Sequence, residues 1–383
     1  MKRNYIAKRF QNAGSGLTLD TEALAKYKDI IDLSIGDTDF ITDEGIINAA
    51  FRDAKAGYTR YGDPKGDPEL IDAVCRAWQE DFEQKLPHDH VLVSASSCLG
   101  MALVMFSILD PGDEVIVFSP YFPMYRTQIE LAGGVCVDVP TYASENYAID
   151  EARLRAAITP RTKAIIFNNP TNPTGMAYGN DTLEMLARVA KEYDLLIAAD
   201  EIYTTYLYEG DFRPLRTLPG MAERTITLNS FSKNFLMTGW RVGVIIAEPE
   251  LLEVMNDING SLIYTAPSIS QRAAIHALSM RREIREKYVT AYRDRIFYTA
   301  DRIEKNPYLS LVRPKGTFYL FPGIEKTGLT DDEFCNVLLD KAHVLVSHGK
   351  AFGTAGAGHF RIACTVGIDT LKIAFDRMEK LSF

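Results

Sequence analysis

Ser230-Phe231-Ser232-Lys233 closes a short apolar run at 226–228, and Arg241 follows eight residues past the lysine, in Gly239-Trp240-Arg241-Val242-Gly243. That spacing holds a primary amine and a guanidinium on one local scaffold. A lysine of lowered pKa can form a Schiff base with an aldehyde, while arginine stays charged and grips phosphate through its planar fork. An aldehyde and a phosphate on one small molecule describe pyridoxal phosphate (PLP). Taken alone, such a lysine is ordinarily a solvated surface residue, so the rest of the chain has to decide.

Outward from this segment, strand-like runs at 91–94, 114–118, 135–139, 164–167 and 195–199 alternate with helix-like stretches. This is the rhythm of an α/β fold. Two further runs, 225–228 and 242–247, flank the lysine segment and extend the same sheet. All are apolar without alternation, as expected of a sheet covered on both faces. Turn signals separate them: Asp110-Pro111-Gly112-Asp113, Gly133-Gly134 and Asn169-Pro170-Thr171-Asn172-Pro173-Thr174-Gly175. Ligands in open α/β sheets sit beyond the carboxyl ends of the strands, and the residues that carry chemistry fall there. The charged, helix-periodic stretch 281–305 predicts a long helix leaving the large domain, and 318–321 opens a second α/β lobe.

With 383 residues and 46% hydrophobic composition, the chain can bury one large core and a smaller lobe. Its longest nearly apolar stretch, 101–109, ends at Asp110-Pro111-Gly112, well short of a bilayer span. The basic start Met1-Lys2-Arg3 lacks the apolar segment of a secretory signal. Five cysteines, widely spaced and without a CxxC pair, fit reduced thiols. A cytoplasmic protein without membrane contact is expected. The formal charge of −9 argues against nucleic acid as partner. His88-Asp89-His90 lacks further ligands at metal spacing, so no metal site is expected.

Asp200, in Ala199-Asp200-Glu201-Ile202-Tyr203, ends an apolar strand and should be buried. A buried carboxylate needs a cationic or donor partner. A protonated pyridine nitrogen meets that need, and the ring so held accepts electrons released at a substrate α-carbon. The two prolines of 169–175 fix a loop whose asparagine amides offer directed hydrogen bonds. Ser96, Ser97 and Cys98 join a strand to a helix start, where backbone N–H groups and the helix dipole favour a dianion. Pro120-Tyr121-Phe122-Pro123 follows another strand, and aromatics at such exits most often pack in the core.

Together these segments resemble the class I/II aminotransferases, PLP enzymes of fold type I, in the family's motif order from Gly36 to Arg361. The resemblance implies a large domain, 46–280, with a mainly parallel seven-stranded sheet, and a smaller α/β domain built from 1–45 and 281–383. It makes Lys233 the Schiff-base lysine, Asp200 the partner of the pyridine nitrogen, and Tyr203 and Asn172 contacts of the ring hydroxyl. Ser96, Ser97, Cys98, Ser230, Ser232 and Arg241 would form the phosphate cup, with Phe122 stacked on the ring. Arg361 would bind the substrate α-carboxylate, with Gly36 and Asn172 beside the substrate. Tyr61, in Tyr61-Gly62-Asp63-Pro64-Lys65-Gly66, matches the tyrosine that crosses to the partner's phosphate, which implies a homodimer. Where many relatives read Pro-Gly-Ser before Phe-Gly, this chain reads His348-Gly349-Lys350-Ala351-Phe352-Gly353.

The implied activity is ping-pong transfer of an amino group from an L-amino acid to a 2-oxo acid. The alternative on the same residues is a PLP-dependent C–S β-lyase, although the forms around Asn172 and Asp200 look more like the aminotransferase versions. A non-enzymatic PLP-binding regulator would need an added DNA-binding module, and the roughly 35 residues before Gly36 are too few for an ordinary domain. The preferred substrate stays open.

Overall fold

The computed structural model describes residues 5, 7 and 25–383. Its strands, in chain order, are β1 (Ile31–Asp32), β2 (Val91–Ser94), β3 (Glu114–Ser119), β4 (Val135–Pro140), β5 (Thr162–Asn168), β6 (Leu196–Asp200), β7 (Thr225–Ser230) and β8 (Gly243–Ile246), followed by β9 (Tyr319–Leu320), β10 (Val344–Leu345), β11 (Ser347–His348) and β12 (Phe360–Ala363). Seven of these form the central sheet, in the order β2-β8-β7-β6-β5-β3-β4. The fold is α/β with a mostly parallel sheet, as the pattern of runs predicts.

One strand runs the other way: β8 pairs antiparallel with both β2 and β7. A parallel return needs a crossover of a dozen or more residues, usually helical. The segment 231–242 is instead spent on one helical turn, Phe231–Asn234, and the loop around it. Close approach here depends on Gly243. A Cβ on it would lie 2.7 Å from Ser97 N and 3.0 Å from Asn229 O, so any side chain would force β8 away from the serine turn.

Helices cover both faces of the sheet. The helix Ser97–Ile108, with Met101, Met105 and Leu103 buried, packs with Leu92, Val115, Ile226, Leu228 and Ile245. On the opposite face Leu183, Leu186 and Val189 of the helix Asn180–Glu192 meet Ile116, Ile165 and Ile197. A separate core forms around Leu33, Ile296, Ile303, Phe334, Val344, Phe360, Leu371 and Phe375. There β1 pairs parallel with β10, and β12 pairs antiparallel with β11 and β9. The helix Arg281–Lys305 matches the stretch that charge and periodicity predict, and its Ile296 and Ile303 enter this second core.

Candidate active site

The carboxyl ends of β5, β6 and β7 open into a cavity of about 890 Å³. Lining it are Gly36, Ser96, Ser97, Cys98, Phe122, Asn172, Asp200, Tyr203, Ser230, Ser232, Lys233, Arg241 and Arg361. The structure therefore brings together every candidate residue except Tyr61, which stands elsewhere on the surface with 81% of its area exposed.

Donors gather at one end. Ser96 caps the helix Ser97–Ile108: its Oγ accepts from Leu99 N at 3.2 Å, with φ at +105°. A non-glycine residue at such a φ is held by its surroundings, and Ser94 Oγ holds this one by donating to Ser96 O at 2.9 Å. Ser230 Oγ accepts from Ser232 N at 3.0 Å and starts the turn that carries Lys233. Arg241 adopts φ +54°, and its Nη1 donates to Thr238 O at 2.7 Å. No ion pair among the described residues uses it, so a cation with spare donors faces the serines.

Deeper in, Asp200 is buried. The Tyr125 hydroxyl donates to Asp200 Oδ2, whereas Oδ1 is buried with no partner. Burial pushes the carboxyl up to about 6, with the Tyr125 hydroxyl pulling the other way. An unsatisfied buried carboxylate oxygen is costly, and it marks where a cationic N–H donor belongs. Asn168 secures the adjoining loop: its Nδ2 donates to Asp200 O at 2.8 Å and its Oδ1 accepts from Asn172 N at 2.8 Å.

Lys233 Nζ donates to Gly36 O at 2.5 Å. Gly36 is required because a Cβ there would fall 1.8 Å from Tyr319 Oη. Tyr203 Oη donates to Tyr319 Oη at 3.2 Å, and burial, then Tyr319, keeps the Tyr203 phenol well above its ordinary pKa. It is therefore a protonated donor near neutrality.

Arg361, on β12, is 3% exposed and has no carboxylate partner among the described ion pairs. Its Nη1 donates to Asn172 Oδ1 at 3.0 Å and its Nη2 to Ser34 O at 2.5 Å, while Nε has no partner. The guanidinium lies 4.5 Å from the Tyr319 ring centroid and 4.9 Å from that of Phe352. Burial lowers its pKa, yet arginine remains a cation. A buried, uncompensated guanidinium invites an anion.

Phe122 lies at the cavity wall, its ring 5.7 Å from Tyr125. His348 and Ala351, from the divergent segment, also reach the wall, and His348 Nδ1 lies 2.8 Å from Asp332 Oδ1. Sequence reading missed Tyr125, Ser34 and Tyr319. Tyr125 and Gln128 stand three apart on the helix Met124–Leu131, both buried, so helical periodicity past Pro123 was the available signal.

The chain matches the family model for aminotransferase class I and II over residues 28–378. It is 36% identical to aspartate aminotransferase of Pyrococcus abyssi, covering 93% of this chain and 92% of that protein. It is 34% identical to the arginine–pyruvate transaminase AruH of Pseudomonas aeruginosa, covering 93% and 91%. The crystal structure of an aromatic aminotransferase from Pyrococcus horikoshii superimposes with a TM-score of 0.90 at 33% identity, covering 94% of this chain and 97% of that one. The chain belongs to the class I and II aminotransferase family. It is a PLP-dependent enzyme that transfers amino groups, and the C–S lyase alternative is not favoured. The cavity fits PLP: the unpartnered Asp200 Oδ1 awaits a ring N–H, and Arg241 with four serines and Cys98 offers a phosphate seat.

Proposed function

We propose that this cavity carries amino transfer from an L-amino acid to a 2-oxo acid in two half-reactions, with one residue set serving both. The observation that carries the reading is the presence, in the wall of Lys233's cavity, of both a buried carboxylate with one unpartnered oxygen, Asp200 Oδ1, and a buried cation with no carboxylate partner among the described ion pairs, Arg361. PLP bound here supplies an aldehyde for Schiff-base exchange and a ring that accepts the electrons of the substrate's Cα–H bond. Asp200 keeps the ring nitrogen protonated, and Tyr203 and Asn172 hydrogen-bond the ring oxygen. Ser96, Ser97, Cys98, Ser230, Ser232 and Arg241 hold the phosphate, with Phe122 on the ring face. Arg361 orients the α-carboxylate, and Gly36 leaves room for the substrate beside Lys233. Lys233 Nζ, as a free amine, would take the α-proton as general base and deliver it as general acid to the aldehyde-derived carbon of the cofactor.

The unit is a cytoplasmic homodimer in which Tyr61 reaches the neighbouring site. Exposed Tyr58, Tyr61, Leu262 and Tyr264 support that face. No helix among the described residues is long and apolar enough to cross a membrane. We place the large domain at 46–280 and build the small one from 1–45 and 281–383, on the second core around Leu33 and Phe375; positions 1–4, 6 and 8–24 of that assignment lie outside the described residues.

Relatives named for aspartate, arginine–pyruvate and aromatic substrates stand at similar identity, so the side-chain preference needs an acceptor screen. The test mixes holoenzyme with a panel of amino acids, cystathionine included, and follows the cofactor with and without 2-oxo acids. Conversion to pyridoxamine phosphate, reversed by a 2-oxo acid, is expected. Thiol, pyruvate and ammonia from cystathionine, with no amino transfer from any substrate, would overturn the reading.

A further inference from the structure

We infer that Arg272 is a positioning residue for Tyr61, holding the loop on which that tyrosine projects. The inference rests on the proposed reach of Tyr61 into the neighbouring site. Tyr61 is 81% exposed, and its ring meets that of Tyr264 edge to face at 4.9 Å. A side chain so exposed gains little of its aim from contacts made by the ring. Its aim has to come from the backbone that carries it.

That backbone is tied down from one helix, Ser268–Ser279. At its first turn Ser268 Oγ donates to Arg60 O, the carbonyl directly before Tyr61, at 2.6 Å. Gln271 Oε1 accepts from Asp67 N at 2.6 Å, beyond the far end of the loop, and its Nε2 returns to Ala266 O at 2.9 Å. Arg272 spans both shoulders. Its Nε donates to Asp53 at 2.7 Å, before the loop, and its Nη1 reaches Asp67 at 3.2 Å and Glu69 at 3.0 Å, after it. The guanidinium carbon, Cζ, lies over the Tyr58 ring, 4.2 Å from its centroid. His276 Nε2 adds a contact to Asp53 at 3.1 Å.

Geometry separates this arginine from an ordinary surface ion pair. Arg272 is 7% exposed, so its three carboxylates are gathered by a desolvated fork rather than a screened one. A planar five-donor group can clamp both ends of the loop and stack on Tyr58 at once. A lysine concentrates its three donors on one atom and has no planar group to span both shoulders while lying over the Tyr58 ring. Meanwhile Gly66 lets the loop exit pass β2: a Cβ there would meet Val93 Cγ2 at 2.3 Å, and Val93 N donates to Lys65 O at 2.8 Å. Between these ties only the tip around Tyr61 is left to project.

The test measures PLP dissociation from the dimeric holoenzyme by equilibrium dialysis for wild type, Tyr61→Phe, Arg272→Lys, Ser268→Ala and the double variants with Tyr61→Phe. Sedimentation monitors the dimer in every case. Tyr61→Phe should weaken PLP retention, and Arg272→Lys should weaken it about tenfold, in the range of coupling between residues that act through one another. In the Tyr61→Phe background the Arg272→Lys effect should collapse towards zero, because the hydroxyl it positions is gone. Ser268→Ala should reproduce the pattern in milder form. A general structural role predicts equal losses in both backgrounds, and that result would overturn the inference. If Tyr61→Phe itself leaves PLP retention unchanged, the reading of Tyr61 fails instead, and the two failures are told apart.

Discussion

Asp200→Asn should remove a pH dependence from cofactor binding whose position and size follow from burial. Asp200 sits at the end of β6 with one oxygen on the Tyr125 hydroxyl and the other unpartnered, and its carboxyl is pushed from 3.8 up to about 6. A protonated ring nitrogen pairs only with the ionised form. With a pKa of about 6 the apo-protein's Asp200 is roughly 90% ionised at pH 7 and roughly 10% at pH 5. Affinity for PLP should therefore fall about tenfold over that interval through this group alone. Every other group of the site is common to both proteins, so the ratio of wild-type to Asp200→Asn affinity isolates the carboxylate. Stability gives a second view with a defined sign. A carboxyl whose folded pKa is raised favours the folded state while protonated, so the apo-protein should lose about 3 kcal/mol as pH rises from about 4 to about 6. Glu201, raised from 4.5 to about 8 by burial, adds a loss of the same sign that extends to higher pH. Fluorescence titration with PLP from pH 5 to 8, alongside urea unfolding of both apo-proteins, reads both effects. A wild-type to variant affinity ratio that stays constant across this range would show that Asp200 does not set the pH dependence of PLP binding.

Arg361→Lys should raise the KM for amino acid and 2-oxo acid alike, by tenfold or more on the ~1.5–3 kcal/mol of a charge-assisted pair, and unchanged values for both would count against its assignment. Gly243→Ala should destabilise the protein by about 2 kcal/mol or more, because the added Cβ meets the backbone of Ser97 and Asn229, and should loosen PLP by displacing the serine turn; calorimetry with and without PLP checks both. Tyr125→Phe should leave both oxygens of Asp200 without a protein side-chain donor and raise its pKa further, so the affinity step near pH 6 should move upward.

How far the molecule could be read in advance depended on which physical signal each part carries. Apolar runs marked every strand of the central sheet: the inner strands, buried on both faces, have no polar side to alternate, while the edge strand β4 is half-exposed and is marked by its valines. The same signal cut the strands short at the site. Ser119, Asn168, Asp200, Asn229 and Ser230 belong to the ladders, and they are polar because they end at or near the cavity, so hydrophobicity stops where function starts. The direction of β8 was not legible, since it depends on how 231–242 is spent around Lys233 rather than on composition. Lys233, Arg241 and Asn172 stand in motifs with internal spacing, and all three line the cavity. Tyr125 had no motif, and its role appears only when the helix Met124–Leu131 is laid against β6. Tyr61 shows the opposite limit: its motif is legible, while the reach proposed for it involves a second chain.

Borohydride reduction of the PLP-loaded enzyme, followed by digestion and mass spectrometry, locates the pyridoxyl group directly. One modified residue is expected, Lys233, with the label absent from Lys233→Ala although that variant should still retain PLP through Asp200 and Arg241. Stoichiometric label on any other lysine of the wild-type enzyme would contradict that assignment.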